Sequence, residues 1–181
     1  DGITLSSQNQ FLLVEIIEKN PICPELEEIL AEYKKPVILQ DDVLGKLIYN
    51  KKISSFEGSA FWQDKKIDIS LDVNKNNKSG ITKARKALKT MFSEQIQWDN
   101  NIRNFVAKKL INLACEWNET NDDAPTITEE TFAQRIKLLS ISITSGGSFT
   151  IYFNDDDIFF GHYVSVCGSL RKGIISADIV G

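Results

Sequence analysis

Histidine and methionine each occur once in this sequence, cysteine three times and proline four times. With His162 alone available, any Ser-His-Asp or Cys-His machinery must use it or be absent. Cys23, Cys115 and Cys167 are odd in number, widely spaced and never arranged as C-x-x-C. That pattern indicates neither a disulfide framework nor a zinc knuckle, and predicts reduced, mostly buried thiols. Long apolar runs are also missing. Residues 11–17 are interrupted by Glu15 and residues 158–167 by Gly161-His162, far short of the ~20 residues that span a bilayer. No membrane crossing is expected. Neither G-x-x-x-x-G-K-S/T nor G-x-G-x-x-G occurs, and Gly146-Gly147 falls between strands with no helix N-terminus behind it. No nucleotide or other cofactor is therefore expected. The chain starts at Asp1 without the basic, apolar and cleavage-site succession of a leader, which predicts a trimmed or processed start and a cytoplasmic protein.

What is present suffices for a core. Hydrophobic residues at 42% and charged residues at 25% exclude global disorder, and 181 residues fit one hydrophobic core. The formal charge of −4 hides an asymmetry: residues 1–42 carry 3 basic and 9 acidic groups, residues 43–110 carry 14 and 6, and residues 111–181 carry 4 and 10. A basic middle between acidic ends either forms an interaction surface or is neutralised within the fold.

Periodicity divides the chain into alternating helical and strand regions. Ser7-Gln8-Asn9-Gln10 has the form of a capping box before an apolar run, predicting a helix to about Glu18. Beyond Pro24, the spacing of Leu26, Ile29, Leu30 and Tyr33 predicts a second, acidic helix ending before Pro36. Strands are expected over residues 44–49, 56–62 and 67–73, linked by short turns into a three-stranded meander. Ala84, Ala87, Leu88, Met91 and Phe92 mark the buried side of a helix capped by Thr82. Asp99 then reads as the N-cap of a long central helix running through Ile102, Val106, Leu110 and Trp117. Asn121 to Pro125 breaks that helix, and Thr128 starts a short one. Alternation of Leu139, Ile141 and Ile143, then Phe149, Ile151 and Phe153, followed by residues 158–167 and 174–180, gives a four-stranded antiparallel meander. The expected fold is α+β: antiparallel sheet from a three-stranded and a four-stranded meander packed on a long central helix. A helical lead-in, residues 1–36, precedes the α+β domain at 37–181.

Few residues stand out chemically. Strict strand parity puts His162 on the face of Phe160, Val164 and Val166, where histidines are commonly structural, yet it is the single catalytic candidate. Asp72-x-Asn74-x-Asn76 begins like a calcium loop, but Asn77 stands where glycine is required and Lys83 where a bidentate glutamate belongs. Asp155-Asp156-Asp157 reads as an acidic turn. No metal site is expected. Lys83, Lys86 and Lys89 lie along one helix face within a basic stretch, residues 75–89, and are the nucleic-acid-binding candidates. The acidic whole and the lack of interleaved aromatics weigh against them.

The C-terminal string Phe160-Gly161-His162-Tyr163-Val164-Ser165-Val166, followed by Gly173, Ala177-Asp178-Ile179 and Gly181, resembles an uncharacterised bacterial family catalogued as domain of unknown function 2262. In that family a final hairpin carries an F-x-G-H-like segment and ends near I-x-G. Here these are Phe159 or Phe160, Gly161-His162 and Ile179-Val180-Gly181. Asp42-Val43-Leu44-Gly45 leading into the first strands, and a helix ending in Trp117 before the C-terminal sheet, also fit. The resemblance covers roughly residues 41–181. It implies an α+β bacterial domain of unknown activity and brings no catalytic residues.

The leading functional expectation is a non-enzymatic protein-interaction module, immunity-like or accessory, whose partner is another protein. An enzyme using His162 with a nearby carboxylate or cysteine is the first alternative. Nucleic-acid binding through residues 75–89 is the second.

Overall fold

A computed structural model of the chain describes residues 12, 14, 22–73, 80–118 and 126–181. Contacts divide the chain into two units, Asp1–Lys35 and Pro36–Gly181. The helix expected up to Glu18, the calcium-like loop beyond Val73 and the break at Asn121 lie outside the described residues.

In the first unit, α1 (Pro24–Lys34) opens with proline at its first position, has Glu25 and Glu27 in its first turn and Lys34 in its last. That charge order complements the helix dipole. Leu26, Ile29, Leu30 and Tyr33 are exposed.

The second unit corrects the expected architecture. A three-stranded and a four-stranded meander on one long helix are replaced by a single eight-stranded sheet with its strands in chain order. Strands β1 (Ile38–Asp41), β2 (Gly45–Asn50), β3 (Ser55–Trp62) and β4 (Lys65–Asp72) form one antiparallel meander. Strands β5 (Lys137–Ile143), β6 (Ser148–Asn154), β7 (Tyr163–Ser169) and β8 (Gly173–Val180) form another. The two join where β4 and β5 pair in parallel, Ile69 opposite Ile141 and Leu71 opposite Ile143. Local patterning hid both differences. Strand β1 is only four residues long and ends in Gln40-Asp41, too short for alternation to register, and a parallel seam between distant strands leaves no local signature.

The helices α2 (Gly80–Ser93), α3 (Gln95–Asn118) and α4 (Glu129–Arg135) lie between β4 and β5 in the chain, and all three contribute to the core. Helix α2 buries Ala84, Ala87, Leu88, Met91 and Phe92, the stripe its spacing predicts. On the sheet, Leu47, Ile69, Leu71, Ile141, Ile151 and Val166 are buried along one face. The alternate side chains Glu57, Asp68, Tyr152 and Asp178 are exposed. That is the division expected of a sheet packed on one side.

Two local departures shift side chains. A bulge between Leu138 and Ser140 turns Leu138 inward and Leu139 outward, reversing strict alternation. Residues 155–162 form a turn, so β7 begins only at Tyr163. The buried Asp155 carboxylate accepts the backbone N–H groups of Asp157 at 3.2 Å and Phe159 at 2.6 Å, and Asp156, Asp157, Phe160 and Gly161 adopt left-handed φ. The three cysteines are free and half-buried. No helix among the described residues is long and apolar enough to cross a membrane.

Candidate functional site

Helix α3 carries Asn100, Arg103, Asn104 and Ala107 at i, i+3, i+4 and i+7, one continuous helical face. This face lines a cleft of about 650 Å3. Helix α4 contributes Glu129, Glu130, Ala133 and Gln134, and the β3–β4 hairpin contributes Trp62, Gln63, Asp64, Lys65 and Ile67. Leu138 and Ile67 add apolar surface to a lining otherwise rich in amides and charge. The volume falls in the range of about 300–1,000 Å3 typical of ligand pockets.

A largely buried ion pair frames the cleft. Arg103 Nε donates to Asp99 Oδ2 at 2.6 Å, and the Trp62 indole N–H donates to Asp99 Oδ1 at 3.1 Å. Arg103 Nη1 donates to the carbonyls of Ala133 at 2.8 Å and Ile136 at 2.5 Å, satisfying oxygens at the end of α4. The guanidinium also lies 5.4 Å from the centre of the Phe153 ring. Charges this sheltered are tolerable because each is both paired and hydrogen-bonded. Gln95 Oε1 accepts from Gln63 N at 2.6 Å, fastening the hairpin tip to α3.

The residues nominated from sequence lie elsewhere. His162 sits at the end of the 155–162 turn, its Nδ1 2.6 Å from the Phe159 carbonyl and its ring edge-on to Trp117 at 5.6 Å. A carbonyl only accepts, so Nδ1 carries a proton in this contact. Lys83 and Lys86 are exposed on α2. Lys89 is bound to Asp42 and lies 3.7 Å from Asp41, which also takes Arg85. The hydrogen bond to Asp42, and the charges of both aspartates, raise the Lys89 pKa above its ordinary value. The basic face of α2 is thus partly neutralised by the turn after β1. In the acidic turn, Asp156 pairs with Lys137 and Arg135. Among the described residues, no group of three or more His, Cys, Asp and Glu side chains is placed to hold a metal ion.

A family described as uncharacterized protein conserved in bacteria (DUF2262) matches residues 41–179. The chain belongs to this family. Every residue of the cleft, and His162, lies within the part of the chain that defines DUF2262 membership. No curated protein and no solved structure matches the chain.

Sequence reading missed Asp99 and Arg103 as site residues. Asp99 resembles an N-cap, but α3 begins at Gln95 and Asp99 is buried in its second turn. The usable signal was an i,i+4 acid-base pair set within an apolar stripe, where a solvent-facing pair would not fall.

Proposed function

We propose that this DUF2262 domain is a protein-interaction module whose cleft receives a segment of a partner protein. The observation that carries this reading is the cleft's construction. Its walls are held by the Trp62–Asp99–Arg103 bonds, and the amides of Asn100, Asn104 and Gln134, the last also donating to Glu130, stand with charged side chains around an apolar floor. Amides both donate and accept, which suits a peptide backbone, while the apolar floor suits side chains. Such binding needs no cofactor, and an immunity-like or accessory role is one that stoichiometric binding fulfils.

The test is affinity capture from lysate of the source bacterium, comparing the native chain with Asn104→Trp, an exposed helical position where the indole would fill the cleft. The expected result is a stoichiometric protein partner lost on substitution while the circular dichroism spectrum is unchanged. A partner retained by the filled variant would move the interface off the cleft. Recovery of no protein by the native chain would defeat the interaction reading.

A further inference from the structure

Resting on that reading of the cleft, we propose that the group it selects is cationic, a lysine or arginine side chain of the partner segment. Two of the cleft's ionised residues, Asp99 and Arg103, neutralise each other within a 2.6 Å ion pair. The others are Asp64, Glu129 and Glu130 against Lys65, three negative charges and one positive. Among the described residues none of these four takes part in an ion pair. The rim therefore presents an uncompensated negative field to an occupant.

An anion would find Lys65, outnumbered by the three carboxylates, and the Nη2 edge of Arg103. Arg103 Nη2 makes no hydrogen bond among the described residues and is not shut off from solvent. A carboxylate reaching it would have to displace none of the guanidinium's bonds, but would enter against the net charge of the rim with the Asp99 carboxylate beside it. Like-charge juxtaposition of this kind is the usual means of rejecting a wrong partner. A basic side chain meets the opposite situation. Its alkyl stem can lie on the apolar floor while its charged head reaches the glutamates in the first turn of α4.

The experiment uses the full chain labelled with 15N and two defined probes, acetyl-Gly-Arg-Gly-amide and acetyl-Gly-Glu-Gly-amide. The three tryptophan indole signals are followed in a two-dimensional NMR titration, with Trp98→Phe and Trp117→Phe identifying the Trp62 signal by elimination. The arginine tripeptide is expected to shift the Trp62 signal selectively, and Glu129→Gln with Glu130→Gln to weaken that binding about fivefold to tenfold. Preference for the glutamate tripeptide would overturn the proposal in favour of an anion at Arg103. Unchanged affinity in the glutamine variant, or no shift with the arginine tripeptide, would overturn it as well. Either failure leaves partner capture intact, whereas failure of capture with the arginine response preserved would strike the interaction reading alone.

Discussion

Trp62 and Asp99 are joined by an indole N–H to carboxylate hydrogen bond of 3.1 Å that ties the β3–β4 hairpin to α3. The other carboxylate oxygen holds Arg103, so one side chain fixes two walls of the cleft.

Asp99→Ala leaves the indole N–H without its acceptor and a largely buried guanidinium without its counter-charge. A loss of about 3 kcal/mol is expected, the scale for breaking a sheltered pair. Asp99→Asn keeps an oxygen for Trp62 and loses less. Urea denaturation of both variants checks the ranking, and equal stabilities would refute it.

Asp41 governs the acid limb of stability. Burial pushes its carboxyl up, but hydrogen bonds from the Leu44 and Val43 backbone and from Arg85 outweigh this and hold it well below the usual range. Asp156 is lowered by Lys137 and then Arg135. With the folded values depressed, the unfolded chain binds protons first as pH falls. The stabilisation is therefore complete above the ordinary value of 3.8 and is lost as pH falls through the folded values. Urea midpoints should decline from about pH 5 downward. Asp41→Asn should flatten that decline and cost about 2 kcal/mol at neutral pH, the scale of hydrogen bonds to a charged group.

Gly168 faces Phe149 across the β6–β7 pair, and a methyl group there would collide with the Phe149 ring and the Gly173 carbonyl oxygen. Gly168→Ala is expected to destabilise by about 2–3 kcal/mol through overpacking. Phe149→Leu in the same chain should recover part of the loss, because the ring is only one of the two obstacles. A double-mutant cycle showing no coupling would contradict this.

Charge reversal along α2 should divide by partner. Lys83→Glu and Lys86→Glu change exposed side chains and should shift stability by no more than about 0.5 kcal/mol. Lys89→Glu sets a carboxylate against Asp41 and Asp42 and should lower the melting temperature. Fluorescence anisotropy with a labelled oligonucleotide on the same three variants reports any nucleic-acid role. Steep salt dependence in the native chain, lost in the variants, is the signature to seek.

The helices were legible because their apolar stripes are long, as with Ala84 to Phe92 and Ile102 to Leu110. Strands with clean alternation, such as Ile67, Ile69 and Leu71, were legible for the same reason. What escaped depends on distant partners. The bulge that exchanges Leu138 for Leu139, the Asp155-capped turn that ends the parity argument for His162, and the β4–β5 seam all arise from tertiary pairing that local periodicity does not encode. The cleft shares that origin. Trp62 and Asp99 are ordinary residues in the sequence, and only the fold makes one the partner of the other.

The parallel seam also predicts an order of events during folding. Within each meander, neighbouring strands meet through short turns, and such contacts close quickly. Ile69 is opposite Ile141 across a long intervening segment, whose closure is expected to cost more chain entropy than a hairpin turn. Shaving a methyl group at the seam, Ile141→Val, should consequently slow refolding in stopped-flow measurements, whereas Ile179→Val beside the far edge should mainly hasten unfolding. The opposite assignment would place the slow step within a meander. On this sequence of events the cleft is expected to be completed late, when β5 brings Leu138 to the walls already supplied by α3, α4 and the β3–β4 hairpin.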